Sequence, residues 1–152
     1  LYPMVVLFGR PEKVEATGVV LSSGADGQGA VNFQYKGMNA TILYSKIANS
    51  SLPTEIQGEE GNIILDRVNI ISKVTYLPRI AAAAGKSAIP EPQDISAVTD
   101  KDEYYYEVAE FIDLVLAGKC ESAINSHDNS LITLEIIDEI RRQLGVVYPA
   151  DR

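Results

Sequence analysis

The sequence is short of the residues on which much metal, thiol and nucleic-acid chemistry relies. It holds one cysteine and one histidine in 152 residues. No internal disulfide can therefore form, and ordinary His/Cys zinc spacing cannot be assembled. Lys and Arg number 13 against 21 Asp and Glu, a net charge of −8. The basic residues are scattered, which excludes a surface built to track a phosphate backbone. No apolar run approaches the roughly 20 residues needed to cross a bilayer. No charged-then-apolar leader opens the sequence, and with Cys120 as the lone thiol this points to a reducing, cytoplasmic setting.

With 46% hydrophobic and 22% charged residues the chain is too apolar for disorder. Its 152 residues suit a single domain around one core, since a chain of this size buries roughly 68–70% of its unfolded surface. Asn39-Ala40-Thr41 and Asn49-Ser50-Ser51 match the glycosylation sequon, which without a secretory leader is incidental.

Leu1 to Phe8 is an apolar run closed by Gly9, the pattern of the last turns of a helix that begins upstream. From Val14 to Leu77 short β-rich runs separated by turn residues predict a meander of five or six antiparallel strands. Val31, Phe33 and Tyr35 alternate with polar residues, and after a turn at Gly37 the pattern resumes with Ala40, Ile42 and Tyr44. Ser22 to Gly29 reads as a hairpin loop, and Gly58-Glu59-Glu60-Gly61 as a four-residue loop between Thr54–Gln57 and Asn62–Asp66. A further strand, Asn69 to Leu77, carries apolar residues on both faces, so something outside this chain is expected to cover one side. Pro78 to Thr99, with three prolines and a tetra-alanine run, reads as a long surface excursion.

Two helices follow. The first starts near Asp100 or Asp102, carries Tyr104, Val108, Phe111, Ile112 and Val115 on one stripe, and stops at Gly118. The second is announced by Asp128 and Asn129, carries Leu131, Leu134, Ile137, Ile140 and Leu144, and stops at Gly145. Arg141 and Arg142 lie in its last turn, where the helix dipole favours cations. Strands first and helices second make an α+β domain.

The stretch from Lys101 to Pro149 resembles the closing helices of the glucose-fructose oxidoreductase/inositol dehydrogenase/rhizopine catabolism (Gfo/Idh/MocA) family. The resemblance extends to Gly9-Arg10-Pro11-Glu12-Lys13-Val14, to Leu43–Ile47 and to Glu55–Ile63, so it covers nearly the whole chain. It implies an open, mostly antiparallel sheet with helices on one face, like the C-terminal domains of dihydrodipicolinate reductase and glyceraldehyde-phosphate dehydrogenase. The other face would pair with a second subunit. It implies also an N-terminal Rossmann domain that binds NAD or NADP, and hydride transfer involving a sugar, polyol or similar substrate. The Gly-x-Gly-x-x-Gly cofactor turn is absent from these residues, as is the family's Glu-Lys-Pro segment. The family's Asp followed four positions later by His or Tyr would place its His or Tyr about two residues before Leu1. No catalytic and no cofactor-binding residue is therefore carried over, and Tyr2 does not fill the vacancy.

Several residues invite a functional reading. Tyr44 and Lys46 lie on a strand that in the family runs near the substrate cleft, where a lysine can hydrogen-bond a sugar hydroxyl; the plainer reading is a strand-end lysine facing water. His127 precedes a helix start, where polar residues cap amides. Ala84-Gly85-Lys86-Ser87 resembles the end of a phosphate-binding loop, but Ile80 stands where its first glycine belongs and Pro90 and Pro92 follow. Tyr104, Tyr105 and Tyr106 point in different directions around a helix, and Glu59 with Glu60 sits at a hairpin tip. The expectation is a substrate-and-oligomer domain, silent in isolation. The rival readings are a stand-alone, non-catalytic interaction or dimerisation domain, and an unrelated hydrolase or transferase, for which no nucleophile-base arrangement is found.

Overall fold

The computed structural model describes residues 1–80, 90–97, 99–102 and 104–151. They form two compact units, Leu1–Ser50 with Ile112–Arg152, and Ser51–Phe111. The class is α+β as expected, with every strand pair antiparallel. The single open sheet is instead hydrogen-bonded as two, of three and four strands. Ser45 Oγ accepts from the amides of Ile47 and Ala48 at 3.2 and 3.0 Å, a serine turn that ends the third strand.

In the first unit the strands are β1 (Lys13–Val20), β2 (Asp26–Tyr35) and β3 (Met38–Ser45). Alternation places their inward residues in rows across the sheet, with Val14 beside Phe33 beside Ala40, and Ala16 beside Val31 beside Ile42. Val31 and Phe33 are 2% and 1% exposed, and truncating such a phenylalanine to alanine costs about 3–5 kcal/mol. Helix α1 (Tyr2–Phe8) has proline in its first turn, stops at Gly9 with φ 71°, and buries Val5 against the rows.

The next row corrects the expectation for Ser22–Gly29. The turn occupies Leu21–Ala25, closed by Leu21 N–H donating to the Ala25 carbonyl at 2.8 Å, and Gly27 and Gly29 lie within β2. These two glycines supply space. A Cβ on Gly29 would stand 2.7 Å from Tyr44 Cε1, and one on Gly27 2.6 Å from Leu21 Cδ2.

Helix α3 (His127–Leu144) is capped by Ser126, whose Oγ accepts from the Asn129 amide at 3.1 Å. Its start thus lies just upstream of the Asp128 and Asn129 expected to announce it. It ends at Gly145, φ 69°, as expected. Of the expected stripe Ile140 is seated, together with Ile132 and Ile136, whereas Leu131 and Leu134 are 55% and 59% exposed. The helix carries two apolar stripes, and its polar anchors select between them: Glu135 pairs with Arg10, and Gln143 with β1.

The second unit holds β4 (Thr54–Gly58), β5 (Gly61–Leu65), β6 (Val74–Pro78) and the short β7 (Gln93–Asp94). Gly58 pairs with Gly61, so the hairpin loop shrinks from four residues to Glu59-Glu60. Tyr76 Oη and the Arg79 amide both donate to the Glu60 carbonyl, at 2.7 and 2.8 Å, fastening that tip. The strand expected from Asn69 begins only at Val74. Asp66 Oδ1 accepts from the amides of Ser72 and Lys73, each at 3.1 Å, closing residues 66–73 into a loop. Ser72 Oγ and these amides hold the Asp66 carboxyl at about 2. Ile70 and Ile71 are consequently exposed loop residues.

Helix α2 (Tyr105–Leu116) begins where Asp102 Oδ1 accepts from the Tyr104 and Tyr105 amides, both at 3.0 Å. It gives way to Gly118 at φ 64°, and none of its residues is buried. The expected excursion Pro78–Thr99 contains β7, and Ala84–Ser87 lies outside the described residues. No helix among the described residues is long and apolar enough to cross a membrane.

β1 is an edge strand of its sheet, and unpaired edges are open to pairing with foreign chains. Gln143 covers this one: its Oε1 accepts from the Ala16 amide at 2.7 Å and its Nε2 donates to the Val14 carbonyl at 2.8 Å. One side-chain amide thus stands in for a neighbouring strand. Gln143→Leu is expected to cost about 1–2 kcal/mol and to speed hydrogen exchange at the Ala16 amide. Unchanged urea stability together with an Ala16 amide as protected as before would contradict this role.

Candidate functional site

At the end of the first sheet where β2 starts and β3 stops, polar side chains gather around Asp26. Lys46 Nζ donates to Asp26 Oδ1 at 2.6 Å, and Tyr148 Oη donates to the same oxygen at 3.4 Å. A bulge brings Asp26 to this side. Register shifts between Val19, opposite Gln28, and Val20, opposite Asp26, so that Gly27 is skipped. An extra residue of this kind re-aims its neighbours. Without it, strict alternation from Val31 would turn Asp26 toward the other face.

Tyr44 and Lys46, two residues apart, share the inward face, and the Lys46 amide continues the ladder by donating to the Gly27 carbonyl at 2.7 Å. The Tyr44 ring covers Gly29, and its Oη is closed off from water without a well-formed hydrogen bond. Tyr148 is held from behind. The Arg141 guanidinium lies 4.6 Å from its ring centroid, Asp151 accepts from the Tyr148 amide at 2.7 Å, and Arg141 pairs with Asp151.

The electrostatics follow these contacts. The hydrogen bond from Lys46 holds the Asp26 carboxyl below its ordinary range, and the same bond raises Lys46. Burial, then the Asp26 charge, raises the Tyr44 phenol. The pair's contribution to stability is present above the unfolded carboxyl value of 3.8 and lost as pH falls through the lower folded value; at the alkaline end it is lost as pH rises through the raised Lys46 value. Lys46 is therefore held as an ammonium, a hydrogen-bond donor and a poor proton acceptor.

The remaining candidates have contacts of their own. The His127 side chain is 79% exposed, and its backbone amide donates to Glu121 at 2.6 Å at the start of α3. Cys120 is free and exposed. Tyr105 and Tyr106 pack edge to face at 5.4 Å, with Lys101 over the Tyr105 ring. Glu59 and Glu60 form the hairpin tip. Among the described residues no three His, Cys, Asp or Glu groups gather as a metal site. An open groove of about 580 Å³ between β1 and α3 is lined by Arg10, Glu135, Glu139 and Gln143; Arg10 pairs with Glu135 across it, and Gln143 bonds β1 itself. Asp26, Arg141 and Tyr148 were missed from sequence: Asp26 reads as a turn residue among glycines, and Tyr148 lies beyond the helix stop.

No protein-family model matches the chain. Individual proteins do. The scyllo-inositol 2-dehydrogenase (NADP(+)) IolU of Bacillus subtilis is 42% identical over 152 residues, all of this chain and 44% of that protein. The oxidoreductase YgjR of Escherichia coli is 35% identical over 97% of this chain and 42% of its own length. A trans-1,2-dihydrobenzene-1,2-diol dehydrogenase of Danio rerio is 31% identical over 93% of this chain and 42% of its own. The chain thus spans less than half the length of the curated relatives it matches. In three dimensions it resembles the crystal structure of a Klebsiella pneumoniae protein assigned as an oxidoreductase, with TM-score 0.65 and 14% identity over 95% of this chain and 44% of that one. The order of elements and these matches, each to under half of an oxidoreductase, identify the chain as a C-terminal domain of the Gfo/Idh/MocA family.

Proposed function

We propose that this chain is the substrate-side and subunit-contact domain of a cytoplasmic, NAD(P)-dependent oxidoreductase acting on a polyol, sugar or related hydroxy compound. The observation that carries the reading is the 42% identity, along the full length of this chain, to an inositol dehydrogenase named for NADP. Scyllo-inositol and trans-1,2-dihydrobenzene-1,2-diol, the compounds named in two of the relatives, share a six-membered carbon ring with adjacent hydroxyls. A ring-borne vicinal diol is accordingly the substrate class favoured here. A nicotinamide bound elsewhere in the complete subunit would supply the hydride acceptor; the Gly-x-Gly-x-x-Gly turn that would hold it is absent from these residues. This domain's part is to wall the substrate, with Lys46 presenting an ammonium at the polar end of the sheet and Tyr44 packed on Gly29 beside it.

The outer face of β1–β3, with Glu15, Thr17, Asn32, Thr41 and Leu43 exposed, is the surface favoured for contact with a second copy, in a homodimer or larger homo-oligomer. Sedimentation is expected to show a dimer or higher oligomer of the complete subunit; a strict monomer at high concentration would remove this part of the reading. With NADP⁺ the complete subunit is expected to oxidise scyllo-inositol or a related cyclic diol, read by NADPH absorbance. A complete subunit that binds NADPH yet oxidises none of a panel of polyols and cyclic diols would contradict the substrate assignment.

A further inference from the structure

We propose that Asp26 is a positioning residue, fixing the Lys46 ammonium as an oriented donor at the polar end of the first sheet. The proposal rests on the reading above, in which Lys46 belongs to the substrate wall. A lysine head rides on a flexible four-carbon stem and loses much rotamer freedom when ordered. Here Asp26 does the ordering beforehand. Its side chain is 21% exposed against 55% for Lys46, so the carboxylate is the anchored member and the ammonium the presented one. The ammonium has three donor protons; one goes to Asp26 Oδ1, and the others are available to hydroxyl oxygens of a ligand.

Two features show that the geometry is built around Asp26. The bulge at Gly27 turns the carboxylate toward Lys46, and Leu21 fills the space beside that glycine. The carboxylate also receives Tyr148, itself braced by Arg141 and Asp151, so Asp26 is steadied from a third segment. The charged and titratable groups bearing on Lys46 are Asp26, Tyr44 and Tyr148, and Asp26 alone among them is anionic near neutral pH.

The test combines a spectroscopic and a kinetic reading. In the unsubstituted chain the Lys46 ammonium resonance is expected to titrate above the ordinary lysine value, and in Asp26→Asn to fall back toward it. In the complete subunit, Asp26→Asn is expected to raise the KM for the cyclic polyol about tenfold, with kcat and the KM for NADP⁺ within about twofold. Lys46→Met should do the same, and the double variant should be no worse than either single one. If Lys46→Met raises the polyol KM while Asp26→Asn does not, or if the two effects add, Asp26 does not act through Lys46 and the proposal is overturned. If Lys46→Met leaves the KM unchanged, the placement of Lys46 in the substrate wall fails instead. Should Asp26→Asn not fold, a Lys46 resonance titrating at the ordinary lysine value in the unsubstituted chain overturns the proposal by itself.

Discussion

The seating of α3 on the three-stranded sheet is the constraint from which the rest of the first unit follows. Ile136 meets Val31 and Phe33 with Val5 of α1 beside them, and these, with Tyr35, form the buried cluster. Such a contact depends on fit. The fit comes from row composition. Bulky residues fill the middle rows, and Gly18 opposite Gly29 opens the next one, where Leu144 and the Tyr44 ring enter. Polar anchors then fix the rotation of the helix. Gln143 docks on the edge of β1, and Glu139, held at about 2 by Arg142 and Gln143, keeps that amide in place.

The same seating organises the polar end. Arg141 lies in the last turn of α3, so where the helix sits decides where Tyr148 is stacked, and Tyr148 in turn meets Asp26. The Lys46 pair is therefore tied to the core through a chain of contacts in addition to its own attraction. That distinguishes it from an ordinary exposed ion pair, which contributes about 0–1 kcal/mol and tolerates many geometries.

Much of this was legible in the residues. The alternation Val31, Phe33, Tyr35, the turn at Gly37, and the helices stopped by Gly9, Gly118 and Gly145 all stand where local chemistry puts them. What was not legible depends on partners remote in sequence. Gly27 and Gly29 carry the same local signal whether they make a turn or clear space, and only Leu21 and Tyr44 decide between the two. The seated stripe of α3 could not be chosen by periodicity, because Leu131, Leu134 and Ile137 repeat as well as Ile132, Ile136 and Ile140; Gln143 and Glu135 settle it through contacts 127 and 125 residues away. The late start of β6 reflects Asp66 capturing amides six and seven residues on. For the candidate site, Tyr44 and Lys46 were named from sequence, whereas Asp26 needed the bulge.

The proposed division of labour, in which this domain shapes the substrate end and the nucleotide-binding turn lies elsewhere, is supported by relatives more than twice its length. The most direct measurement is a titration of the folded 152-residue chain with NADPH by calorimetry. The account predicts no saturable binding below about 1 mM. A dissociation constant near micromolar would place the cofactor site within these residues and contradict it.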